Sequence, residues 1–361
     1  MAEKDSIIIP AHYNIYNGST GRNLRIDYSL PSQGVTAETG LLLLVPGYGG
    51  NIDSNVYKKM RDVFADQYNL VTVQCTYFGD SFMQNVETFT FSNNDQFAQE
   101  YLTKDEQIKV QENPALLIKY LSNFSIKFPL TATINETLDE FNDMGFMQAI
   151  DLITSIDAVK IILRENHLPF DEQKVLGYGH SHGAYLLHLC NRLEPSLFTA
   201  IIDNSAWLEP VYLTSNRYLF KSYGKMILQI KFDYLAKEIL LDKKALNLNT
   251  IYKNFDNQAE ILVFQGTNDN QIDYKEKEII TSKVNNTSFI LIDEKDVDNN
   301  IFYSNQHGLD ADFLKLFNLA YSKLEMKKNL TVRKKFDKLK FSNTTITIDH
   351  SQALPFFQLT L

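Results

Sequence analysis

Val175-Leu176-Gly177-Tyr178-Gly179-His180-Ser181-His182-Gly183-Ala184 is the stretch on which the fold turns. A β-prone run, Lys174 to Tyr178, leads into Gly-x-Ser-x-Gly, and a helical pattern, Ala184 to Leu193, follows it. That context carries more weight than the five letters. A serine on a tight strand-to-helix turn is forced into a strained backbone conformation that lifts its hydroxyl above the sheet edge. Gly179 and Gly183 lack Cβ atoms, so strand and helix can approach closely. The helix N-terminus beneath the serine favours developing negative charge. Ser181 is therefore the candidate nucleophile. His180 and His182 flank it, but neighbours on a sharp turn point apart, so neither is expected to serve as its base. His182 is expected to offer its backbone N–H.

Downstream the strand Glu260 to Gln265 ends in Gly266-Thr267-Asn268-Asp269. An aspartate just past a buried strand can reach a histidine on a neighbouring loop, fix its tautomer and stabilise its imidazolium. Asp269 is the expected acid, Asp203 at the end of the sixth strand is the alternative, and Asp273 reads as solvent-facing. After the run Phe289 to Ile292 comes Tyr303-Ser304-Asn305-Gln306-His307-Gly308-Leu309-Asp310. His307 is the one histidine between Asp269 and the tail, and Ser, Asp, His is the expected chain order. His350 in the tail is the weaker alternative. His12, His167 and His188 read as a surface loop, a helix end and a helix-packed residue.

An acyl-transfer site also needs donors aimed at a tetrahedral oxyanion. One is the N–H of His182. The other is expected from the loop Pro46-Gly47-Tyr48-Gly49-Gly50, which ends the apolar run Leu41 to Val45. We assign it to Tyr48, with Gly49 as alternative.

The remaining chain agrees with a layered α/β architecture. Strand-like runs at Leu70–Tyr77, Ala200–Asp203 and Ser288–Ile292 alternate with helical patterns at Phe141–Arg164, Tyr274–Val284 and Asp310–Leu324. Such alternation implies parallel pairing with right-handed crossovers and about eight strands in the main sheet. Ser6–Pro10 and Leu24–Leu30 read as a leading antiparallel pair. The main domain is expected over residues 1–325, interrupted by long insertions at about 79–140 and 207–255. The second insertion reads as mostly helical. Residues 326–361 form an appendage expected to pack on the body or on a partner subunit. It opens with lysines and continues into β-branched Thr344-Thr345-Ile346-Thr347-Ile348.

Together these motifs resemble the α/β-hydrolase superfamily over Leu41 to roughly Leu324. The helix before Ser181 is similar to that of its prolyl-oligopeptidase-like and esterase branches. More loosely, His307-Gly308-Leu309-Asp310-Ala311-Asp312 resembles an uncharacterised family from flagellated ε-proteobacteria, some members of which are encoded near flagellin-glycosylation genes. Pro46 stands where many superfamily members carry histidine. The resemblance implies a serine hydrolase that cleaves a small acyl ester through an acyl-enzyme, the sugar-linked variant of that substrate resting on the resemblance alone. It calls for no cofactor and no metal. A serine peptidase or an acyltransferase could use the same triad, and a non-catalytic interaction protein could keep the scaffold. A peptidase of the prolyl-oligopeptidase type normally carries an N-terminal propeller, which is not expected in the roughly 40 residues before Leu41.

Composition narrows the partners. A hydrophobic fraction of 44% and a net charge of -9 suit a large core and an acidic surface. Acidity disfavours nucleic acid and anionic lipid, which need an excess of Lys and Arg. No run approaches the ~18 apolar residues of a membrane span. The N-terminus shows no secretory pattern, and the two cysteines, Cys75 and Cys190, read as buried thiols. A cytoplasmic setting is the expectation.

Overall fold

Continuous apolar runs become buried strands in a computed structural model that describes residues 1–91 and 94–361. In chain order the first four are β1 (Glu3–Pro10), β2 (Asn23–Leu30), β3 (Gly40–Val45) and β4 (Leu70–Cys75), with helix α1 (Asn55–Tyr68) between the last two. The chain then departs through β5 (Thr88–Phe91), α2 (Asn94–Tyr101), α3 (Lys104–Glu112), α4 (Leu116–Leu121) and β6 (Lys127–Thr133). It resumes with α5 (Phe146–Glu165), β7 (Val175–His180), α6 (His182–Leu193) and β8 (Ala200–Asn204). The hairpin β9 (Arg217–Tyr223) and β10 (Met226–Phe232) leads to α7 (Ala236–Ile239) and α8 (Leu248–Ile251). Last come β11 (Glu260–Gly266), α9 (Tyr274–Thr281), β12 (Thr287–Ile292), α10 (Phe313–Lys323) and three tail strands, β13 (Phe336–Phe341), β14 (Thr344–Asp349) and β15 (Phe356–Thr360).

Two compact units result, one holding Met1–Asp80, Asp143–Pro210 and Ile239–Leu361, the other Ser81–Asn142 and Val211–Glu238. The first unit is built on an eight-stranded sheet of order β1-β2-β4-β3-β7-β8-β11-β12. β1, β2 and β4 pair antiparallel and the rest parallel, as right-handed crossovers through helices require. The strands β3, β4 and β8 are buried at every residue, the mark of a sheet covered on both faces. On one face Leu42, Leu44, Tyr178, Ile202 and Phe264 pack with Phe64 of α1 and Phe317 of α10. On the other, Gly177 faces Leu187 of α6.

α5 begins at Phe146, later than the Phe141 of the sequence reading. The delay has a local cause. Met144 adopts a left-handed φ of 51°, and the buried Asp143 carboxylate accepts the N–H groups of Gly145 and Met147 at 3.2 and 2.8 Å. Those donors are the orphans of a helix start.

The second unit corrects the reading of 207–255 as mostly helical. Its sheet, of order β5-β6-β10-β9, takes two strands from each insertion. Gly224, at φ 61°, turns β9 into β10. The Leu, Lys and Tyr of this stretch fit either period on paper, and pairing with the distant β6 decides for strand.

The tail strands form an antiparallel sheet within the first unit, burying Leu339, Phe341, Ile346, Ile348 and Phe357. Tyr13 donates to the carbonyl of Phe357 at 2.8 Å, and Arg333 reaches Asp157 of α5 at 3.1 Å and Glu194, at the end of α6, at 3.0 Å. His350, the weaker candidate base, pairs with Glu194 at 3.2 Å. Among the described residues no helix is long and apolar enough to cross a membrane.

Candidate active site

Ser181 sits between β7 and α6 at φ 54° and ψ −119°, a conformation costing about 1–3 kcal/mol that persists where its surroundings over-determine it. Two contacts do so. Its N–H donates to the carbonyl of Asn204 at 2.8 Å, and its carbonyl accepts from Tyr185 at 3.0 Å. Gly183 explains the second glycine of the motif. A Cβ there would run into the carbonyl oxygens of Val45 and Pro46, so the start of α6 abuts the end of β3.

The three residues expected to act together are brought together. His307 Nε2 lies 2.7 Å from Ser181 Oγ, and His307 Nδ1 lies 2.8 Å from Asp269 Oδ2. This chain of contacts places the imidazole to take the hydroxyl proton and the carboxylate to hold the ring. The Asp269 side chain is fully buried. Burial would raise its pKa. The hydrogen bond and charge of His307 outweigh this, with help from the Gln271 N–H and Gln265, and hold it below the ordinary value. Gln265 Nε2 donates to Asp269 Oδ2 at 2.7 Å, while Asp269 Oδ1 accepts from Gln271 and Ile272 at 2.8 and 3.0 Å. Asp273 is exposed and caps α9 by accepting from Lys275.

The flanking histidines point apart. His180 is wedged between the Gly47 turn and Gly308, and a Cβ at Gly308 would meet its Nε2. With φ at 73°, Gly308 is also where backbone freedom is needed. His182 turns the other way, its ring 5.3 Å from Tyr48 and 4.8 Å from Trp207. Tyr48 occupies a turn closed by the Gly50 N–H to the Gly47 carbonyl at 2.8 Å, with Gly49 at φ 85°. Trp207 is buried at 1% exposure.

Burial, then the His307 charge, pushes the pKa of His180 down to about 4, and burial pushes His182 down to about 3. An unfolded histidine protonates near 6.5. As pH falls through that value the unfolded chain gains protons that these two sites refuse, so stability declines by about 1.4 kcal/mol per pH unit per group. Urea midpoints measured from pH 7 to 5 should fall, and more shallowly for His182→Phe. Equal slopes in the two proteins would contradict the assignment.

Asp203, the alternative acid, is otherwise engaged. It lies fully buried between Lys277 Nζ at 3.0 Å and His188 Nε2 at 3.0 Å, and His188 Nδ1 meets the Tyr252 hydroxyl at 2.5 Å. Asn204, Ser205 and Gln265 line the same region and were not singled out from the sequence. A small polar pair ending an apolar strand, beside the serine and histidine loops, is the signal that could have marked the first two. Among the described residues no group of three or more His, Cys, Asp or Glu side chains is placed to hold a metal ion.

Two family models match the sequence. One, described as "Protein of unknown function (DUF2920)", spans residues 19–226, and the prolyl oligopeptidase family spans residues 148–315. The comparison with curated proteins returns no match. Among solved structures, Est1E from Butyrivibrio proteoclasticus with ferulic acid bound is 12% identical, with a TM-score of 0.46 over 88% of this chain and 99% of that one. Dienelactone hydrolase from Anabaena variabilis is 14% identical, with a TM-score of 0.39 over 88% and 94%. Thermogutta terrifontis esterase 2, phosphorylated by paraoxon, is 13% identical, with a TM-score of 0.43 over 86% and 91%.

Proposed function

The chain belongs to the DUF2920 family within the α/β-hydrolase superfamily, and we propose that it is a serine hydrolase that cleaves a carboxylic ester through an acyl-enzyme. The observation that carries this reading is the unbroken Ser181–His307–Asp269 chain of contacts at 2.7 and 2.8 Å.

Ser181 Oγ attacks the acyl carbonyl carbon as its proton passes to His307 Nε2, and a C–O bond forms. The negative charge on the carbonyl oxygen is met by the backbone N–H groups of His182 and Tyr48. Collapse breaks the bond to the alcohol, which leaves with the proton from His307. Water then attacks the acyl-enzyme, His307 takes its proton, and Ser181 is restored as the acid departs. Asp269 keeps the imidazole oriented and offsets its transient charge. No step calls on a metal or a cofactor.

The match to the prolyl oligopeptidase family supports a peptidase as the second reading. One experiment separates the two. A fluorophosphonate probe should label the wild type at Ser181 and leave Ser181→Ala unlabelled. A panel of short acyl esters, acylated sugars, thioesters and aminoacyl amides should then show turnover on the esters. Faster turnover on the amides would favour the peptidase, and an unlabelled, inactive wild type would end the enzymatic reading.

A further inference from the structure

The loop that carries His307 is intrinsically unfavourable. Gly308, Leu309 and Asp310 take successive φ values of 73°, 64° and 43°. Two of the three are ordinary L-residues, for which left-handed backbone costs energy and must be held from outside. Asp269 orients the imidazole ring, but a bond to a side chain does not fix the height of the backbone that bears it.

That backbone is gripped from below by the end of β8. The Gly308 N–H donates to Ser205 Oγ at 3.1 Å, and Asn204 Nδ2 donates to the Gly308 carbonyl at 3.3 Å. Both polar groups of one peptide neighbour of His307 are thus satisfied by two adjacent side chains. Ser205 Oγ in turn donates to Asn204 Oδ1 at 3.2 Å, which fixes both side chains relative to each other. Both residues are fully buried.

The same turn also bonds the backbone of Ser181 and the strand that leads to Asp269. The Asn204 carbonyl accepts the Ser181 N–H at 2.8 Å. The Ser205 N–H, at the left-handed φ of 58°, donates to the carbonyl of Phe264 on β11 at 3.0 Å, five residues before Asp269. Below it the Ala206 N–H donates to Asp203 Oδ1 at 2.6 Å and Lys277 Nζ donates to the Ala206 carbonyl at 3.0 Å, so the turn is tied at its base.

We propose that Asn204 and Ser205 are positioning residues, a strut that references the His307 loop to the backbone of Ser181 and so sets the distance between base and nucleophile. The inference rests on the serine-hydrolase reading above and deepens it. Neither side chain hydrogen-bonds Ser181 Oγ or the imidazole. They act through Gly308 alone. A displacement of the base by about 1 Å is enough to cost on the order of 100-fold in rate.

Ser205→Gly removes the hydroxyl while suiting the left-handed backbone, so the fold should be retained. On an ester that the wild type cleaves, we expect kcat to fall by about 10- to 100-fold with KM within about threefold, and fluorophosphonate labelling of Ser181 to slow in parallel. In a His307→Ala background the same substitution should cost nothing more, because there is no base left to place. A purely structural role would lower activity equally in both backgrounds. If Ser205→Gly shifts Tm by more than about 5 °C, the kcat-against-KM split of Asn204→Leu decides in its place. Wild-type kcat in whichever variant decides, or an equal loss with and without His307, overturns the strut and leaves the hydrolase reading standing. A wild type that neither labels nor turns over overturns both.

Discussion

Ser181→Ala and His307→Ala should each lower kcat by about 10⁴- to 10⁶-fold, and the double variant should lose little more than either alone. The reason is geometric. His307 Nε2 stands 2.7 Å from Ser181 Oγ, so the ring serves the reaction through that one atom. Remove the hydroxyl and the base has nothing to deprotonate. Remove the base and the hydroxyl stays at its weakly nucleophilic ordinary state. Asp269→Asn should be milder, about 10³- to 10⁴-fold, because the two backbone N–H groups of Gln271 and Ile272 still hold the side chain in place. It would, however, offer His307 an amide where a carboxylate belongs. Steady-state kinetics on one ester, with the double variant beside the singles, checks this. Losses that multiply would show the residues acting separately and break the triad assignment.

The grouping of Ser181, Asp269 and His307 was legible because each follows a strand in the expected chain order and carries its own local signal. Ser181 has its glycines, Asp269 follows the apolar run Ile261–Phe264, and His307 follows the last strand of the main sheet. What escaped depends on pairing between distant segments. β10 lies beside β6, roughly 100 residues earlier, and nothing within Trp207–Phe255 encodes that neighbour. Lys277 escaped for a related reason. In Tyr274-Lys275-Glu276-Lys277-Glu278 it reads as one charge on a solvated helix face, yet it is fully buried against Asp203, 74 residues away. The left-handed turn at Ser205 is likewise invisible, since serine gives no sign of a positive φ.

Lys277→Met should destabilise the protein by about 3–5 kcal/mol, the cost of leaving one partner of a buried ion pair behind, while Lys277→Met combined with Asp203→Leu should recover a large part of it. Lys277 and Asp203 are both at 0% exposure, with nitrogen and oxygen 3.0 Å apart, so the charge left alone cannot turn to solvent. Burial by itself would raise the Asp203 carboxyl. The Lys277 charge leads the opposing effects, followed by His188 and the Ala206 N–H, and these hold it at about 2, below the ordinary 3.8. Hence the contribution of Asp203 is complete above the ordinary value and is lost as pH falls towards 2, while burial pulls Lys277 below its ordinary value and opposes it. In Lys277→Met the carboxylate retains His188 and the Ala206 N–H but loses its counter-charge, and the Ala206 carbonyl loses its donor. Replacing both members with apolar side chains removes the unmatched charge, which is why the double change should cost less than the single. For a chain of this size the single change corresponds to a fall in Tm of about 4–7 °C. Calorimetry on the wild type, both singles and the double at pH 7 measures the coupling directly. Additive losses across the four proteins, or a Tm for Lys277→Met within about 2 °C of wild type, would show that this buried pair does not hold the base of the Asn204–Ser205 turn.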